Sequence, residues 1–223
     1  NVRGELAFGF SWIHARVSDV VGRSASGVPI GDIKDSQNAY QVAVARQLHS
    51  RLAVGVILKV IEHEITVPRR GGSSGRGHGF DLGLQYRAFD NTYLGVTARN
   101  VDAELSWKVK RSSQQSTTTD DALPPAMTLG IAHKPLDRLV VAADLHLGDD
   151  SFLNLGAEWV VGPALTVRAG LSRLPGDDAA VGATTAGLTL RPMRTESVQF
   201  HYTYATDELD AGGRTVAGLT LKF

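Results

Sequence analysis

Apolar residues recur at every second position through most of this chain. In Gly4 to His14, Leu6, Phe8, Phe10 and Trp12 share one face, and Glu5, Ala7, Gly9 and Ser11 share the other. Asn38 to Leu48 places Tyr40, Val42 and Val44 together, and Leu52 to Val67 aligns Leu52, Val54, Val56, Leu58 and Val60. His78 to Phe89 sets Phe80, Leu82, Leu84 and Tyr86 against Asp81, Gly83, Gln85 and Arg87. Thr92 to Asn100 follows after an Asp90-Asn91 turn. Six more segments continue the rhythm: 125–133, 139–147, 151–160, 165–174, 185–192 and 197–205. The last nine residues, Thr215 to Phe223, align Leu219, Leu221 and Phe223. About a dozen strands and no amphipathic helix are predicted, in one all-β domain. Three stretches read as loops instead: the polar excursion Val17 to Asp35, the Gly/Ser-rich Pro68 to Gly77, and Arg111 to Asp121.

The residues opposite the aliphatic ones decide between a sandwich and a membrane barrel. A sandwich turns its second face to water and fills it with Lys, Glu, Ser and Thr. Here that face carries Gly, Ala, Thr, Gln and Asn with isolated charges, which suits a narrow polar lumen. The aliphatic face is almost unbroken, and Trp12, Tyr86, Trp159 and Tyr204 stand near strand ends like an interfacial girdle. A charge at the lipid-facing midplane costs about 2–4 kcal/mol, so its avoidance over many strands fits lipid better than water. The pattern predicts an antiparallel transmembrane β-barrel in the outer membrane of a Gram-negative-type bacterium.

Composition removes several alternatives. With 23 basic and 23 acidic residues the formal charge is zero, which argues against nucleic acid as a partner. Cysteine is absent, so no disulfide or thiolate metal site is available. The seven histidines show neither HxH nor HExxH spacing, and Glu62, His63 and Glu64 alternate faces, so no metal site is expected. No nucleophile elbow, phosphate loop or cofactor motif is present, so neither enzymatic activity nor a cofactor is expected. Arg69, Arg70 and Arg76 read as a solvated basic loop, and the Asp120-Asp121 and Asp149-Asp150 pairs as turn formers. The candidate functional set is the charged lumen-facing network of Lys59, Asp81, Arg87, Arg99, Asp144, Glu158 and Arg168. Such a network either fills the lumen by mutual pairing or forms a constriction that discriminates solutes by charge.

The run AYQVAVARQLHSRLAVGVILKVIEHEI followed by GHGFDLGLQYRAFDNTYLGVTARNV, with LPPAMTLGIAHKP and the terminal Phe223, resembles the PorV/PorQ family. These outer-membrane barrels are related to the FadL fatty-acid transporters. The resemblance implies a barrel of fourteen strands, of which about twelve lie here, with an N-terminal part upstream of Asn1. It implies an accessory role in a protein secretion or surface-attachment machine, with a protein partner in an envelope complex. The alternatives are FadL-like transport of hydrophobic small molecules, which needs a plug and a strand kink opening sideways, or a structural barrel of a larger envelope assembly. A terminal strand with Leu219, Leu221 and Phe223 on one face resembles the signal read by the barrel-insertion machinery. Outer-membrane lipid is the expected solvent of the aliphatic face.

Overall fold

The computed structural model describes residues 6–68, 71–112, 115–174, 182–192, 198–206 and 213–221. Among them lie thirteen strands and no helix. They are β1 Leu6–Arg23, β2 Pro29–His49, β3 Leu52–Val67, β4 Gly71–Phe89, β5 Thr92–Ser112, β6 Gln115–Ala122, β7 Ala126–Leu136, β8 Leu139–Leu147, β9 Phe152–Gly162, β10 Leu165–Leu174, β11 Thr184–Leu190, β12 Val198–Thr206 and β13 Gly213–Leu221. The chain divides into two compact units, residues 1–84 with 97–125, and residues 85–96 with 126–223.

In the first unit each strand pairs with the next from β1 through β5, and β6 returns along the far part of β5. The register is long and regular. Phe10 faces Val42 and Val42 faces Leu58, so the lipid-type residues of three strands form one continuous stripe. Phe8 is 74% exposed and Leu58 61%, values that water would not tolerate over so many neighbours. The polar segment Val17 to Asp35 is not a loop. It continues β1 and β2 as a hairpin closed at Ser24 to Val28, where Gly27 takes φ 80° and Ser24 N donates to Val28 O at 2.8 Å. Val20 and Ile33 pair there, and polarity marks strand beyond the apolar band rather than the absence of strand.

The Gly/Ser-rich stretch 71–77 is also strand, and its glycines have a packing reason. Gly75, Gly77 and Gly79 are buried on one face of β4. A Cβ at 75 would come within 3.2 Å of Trp107, and at 77 and 79 it would meet Glu104 and Ala103. The missing side chains let Trp107 reach across β4 to meet His63 in a tilted ring contact, with ring centroids 4.8 Å apart and planes 58° from parallel. Ala103 and Leu105 are the buried apolar residues on this stretch of β5. Arg111 to Asp121 likewise belongs largely to β5 and β6, paired from Glu104–Ala122 to Ser112–Gln115; its β-branched Thr117 to Thr119 favour extended backbone.

The second unit is a meander of short strands in the order β7 to β13, with the β4–β5 turn beside β7. Lys134 N donates to Asn91 O at 2.8 Å at that turn. The strands run 7–11 residues, about the 9–11 that a tilted strand needs to cross a bilayer. The terminal strand pairs with β12 from Val198–Leu221 to Thr206–Gly213. Leu219 and Leu221 stand more than half exposed on it, and Phe223 lies outside the described residues.

Candidate functional site: a strand break and a polar belt

Besides the register shifts in β1–β2, β2–β3 and β5–β6, the first unit has a backbone break within β5. In β5, Asn100 and Asp102 adopt left-handed backbone, with φ of 56° and 47°. L-residues avoid this region, and Asn and Asp are the non-glycine types that tolerate it best. Facing the break, 123–125 is not strand, and it contains Pro124 and Pro125. Two consecutive prolines remove two backbone donors, so a regular ladder cannot form along them. Leu123 N reaches Ala103 O at 2.9 Å beyond the break, and side chains satisfy the rest.

Those side chains form a buried knot. Lys59 is 7% exposed, and its Nζ donates to Asp81 Oδ1 at 2.6 Å and to Asn100 Oδ1 at 2.7 Å. Asp81 Oδ1 also accepts from the Asn100 backbone N at 2.9 Å, a group the break withholds from the ladder. Asn100 Nδ2 donates to Pro124 O at 2.9 Å and bridges the interruption. Alternation on β3 and β4 aims Lys59 and Asp81 to the same face, and register brings them level with Asn100. Charge-assisted bonds of this length hold the irregular backbone in one geometry.

The second unit handles polar groups as a belt. Arg168 Nε donates to Glu158 Oε2 at 2.6 Å, and Arg168 Nη1 donates to Thr189 Oγ1 at 2.7 Å. Thr189 Oγ1 lies 2.9 Å from His201 Nδ1, and His201 Nε2 lies 3.0 Å from Thr220 Oγ1. Five consecutive strands, β9 to β13, are thereby tied side chain to side chain. Arg191 Nη1 donates to Thr166 Oγ1 at 2.9 Å beside this row. Thr166 and Thr189 are fully buried, and each hydroxyl has its partner. Nearer the other strand ends, Thr128, His146 and Asn154 bond in series at 3.0 and 2.9 Å, and Arg173 N donates to Asn154 Oδ1.

Of the seven charged residues expected on the polar face, Lys59 and Asp81 meet in the knot, and Glu158 and Arg168 meet in the belt. Asp144 is exposed on β8 beside Gly130. Arg87 is half-buried on β4 and Arg99 exposed on β5, each with an interaction of its own. Arg76 pairs with Glu62 at 3.3 Å on a strand rather than in a loop, and Arg69 and Arg70 lie outside the described residues. Sequence reading missed Asn100, His63 with Asp35 at 2.8 Å, and the Thr189–His201–Thr220 run. The LPP triplet at 123–125 was the available signal for the break. Among the described residues no group of three or more His, Asp or Glu is arranged to hold a metal.

No family model and no curated protein matches the sequence. Solved structures do match the fold. The Pseudomonas putida toluene transporter TodX aligns with a TM-score of 0.64 at 15% identity, over 90% of this chain and 72% of that one. A TodX variant described as a monoaromatic hydrocarbon channel gives 0.61 at 14% identity, over 90% and 73%. A Pseudomonas aeruginosa FadL homologue gives 0.60 at 13% identity, over 96% and 72%. The chain therefore has an all-β antiparallel fold of the FadL outer-membrane barrel type. The narrower PorV/PorQ resemblance finds no support in these comparisons, whose matching folds are of the FadL type.

Proposed function

We propose that this protein resides in the bacterial outer membrane and passes hydrophobic small molecules, in the manner of the transporters whose fold it shares. The observation that carries the reading is the break in β5. Left-handed Asn100 and Asp102 oppose a stretch bearing two prolines, and a buried Lys59–Asp81 pair fixes the gap. A barrel wall in hydrocarbon satisfies its backbone internally, so an interruption is tolerated only where side chains compensate or a path is lined. Both conditions suit a sideways exit for an apolar solute. The aliphatic face then meets outer-membrane lipid, and Leu219, Leu221 and Phe223 serve the insertion machinery.

The test is the rate of toluene uptake into liposomes carrying the folded chain, with a lipopolysaccharide outer leaflet, which apolar solutes cross slowly unaided. Replacing Asn100 and Asp102 together with Val favours extended backbone, and uptake should fall to the level of empty liposomes while the protein still folds. Uptake unchanged by that double substitution, or equal passage of glucose, overturns the reading. A stable protein partner on gentle detergent extraction, with no uptake, would return the secretion-accessory alternative.

A further inference from the structure

The second unit contains an open pit of about 400 Å3 on its polar face, centred on Gly156, Gly170 and Gly187 of three adjacent strands. We propose that it is a solute site for a compact, uncharged molecule with an apolar body and one hydrogen-bonding group, of the phenol type. The site deepens the transport reading, on which it rests for its purpose, whereas binding itself follows from the cavity.

The three glycines are not equivalent. A Cβ at Gly170 would lie 2.8 Å from Thr185 Oγ1 and 3.0 Å from Leu155 O, and one at Gly187 would lie 3.0 Å from Thr203 Oγ1. Those positions need glycine for close packing. Gly156 does not: a Cβ there meets nothing nearer than Ala169 O at 3.9 Å, and its φ is not left-handed. Glycine inside a strand is destabilising by about 0.5–1 kcal/mol relative to Ala. What it preserves at 156 is open volume.

Walls and volume define the occupant. Val140 and Ala142 extend the floor as apolar surface. The space is at the lower end of the range for small-molecule pockets, roughly 300–1,000 Å3, and well above what one ring needs. The charged groups at its edge, Glu158 and Arg168, neutralise each other at 2.6 Å. An anion would meet the Glu158 carboxylate and a cation the Arg168 guanidinium, so a charged ligand would lose hydration without a free counter-charge. Thr185 and Thr203 present hydroxyls along the wall, which suits one donor or acceptor on the ligand.

The test uses the full chain folded in detergent micelles, with para-fluorophenol as probe and fluorine NMR as readout. Saturable binding above micelle partitioning is expected, with para-fluorobenzoate at least about tenfold weaker. Gly156→Leu should weaken the phenol by about tenfold or more, whereas Gly83→Leu in the first unit should leave it unchanged. If Gly156→Leu does not fold, Gly156→Ala has room to fold normally and should still weaken binding by about threefold. Binding unchanged in these Gly156 variants, or benzoate as tight as phenol, overturns the site. Toluene uptake is read separately. Its absence with phenol binding intact counts against transport and leaves the site standing; its presence with binding insensitive to residue 156 counts against the site alone.

Discussion

The two units treat the same problem, polar groups within a single-layer sheet, in opposite ways. The first unit has strands of 16–21 residues in β1 to β3, longer than a bilayer crossing requires, and gathers its key polar groups into one knot at a backbone break. The second keeps its strands at 7–11 residues and spreads its belt partners one per strand; its own left-handed residue, Arg173 (φ 54°) near the end of β10, lies away from the belt with its N bonded to Asn154 Oδ1. The Lys59 and Asp81 side chains are 8% and 15% exposed, against 40% and 34% for Arg168 and Glu158. Equal bond lengths therefore do not mean equal importance. A buried pair cannot lose one member without stranding the other, whereas a half-exposed pair lets water replace the missing partner.

The largest effect should come from Lys59→Met. It leaves Asp81 buried with only the Asn100 amide to compensate, and a loss of about 3–5 kcal/mol is expected in urea unfolding from lipid vesicles. Adding Asp81→Leu should restore much of that loss, because no unpaired charge then remains. If the single and double variants unfold alike, the knot does not work as a charge pair.

Next in size is the division between faces that both units share. Leu82→Arg places a charge on the aliphatic face and should cost about 2–4 kcal/mol or block folding into lipid. Gln85→Arg, on the opposite face of the same strand, should fold nearly as well as the parent. A heat-modifiable band on gels reads the outcome directly. Equal damage at both positions would mean that the aliphatic face does not meet lipid.

Much of this was legible in alternation alone. The bounds of β3 emerge residue for residue from Leu52 to Val67, and the pattern puts Lys59 and Asp81 on the same face. Period-two reasoning works there because each residue's environment is set by which side it points to. It fails where a residue's environment is set by a neighbouring strand. Gly75 and Gly77 read as flexibility because nothing local reveals that Trp107 and Leu105 need their space. Val17 to Asp35 reads as loop because polarity was equated with irregularity, although strands remain paired well past an apolar band. Asn100 was invisible for the same reason: its role depends on Pro124, twenty-four positions away and level with it only in register.

The smallest expected effect is also the sharpest check on the comparison. Glu158→Gln keeps shape and one hydrogen bond to Arg168 but removes the charge. With both side chains more than one-third exposed, the loss should stay below about 1 kcal/mol and shrink further in high salt. The neighbouring bonds from Arg168 Nη1 to Thr189 and from Thr189 to His201 remain, so strand pairing through β13 should persist in hydrogen exchange. A loss near that of Lys59→Met would instead mean that the belt is a cooperative unit as demanding as the knot. The contrast between the units would then lie in backbone regularity alone, with burial carrying none of it.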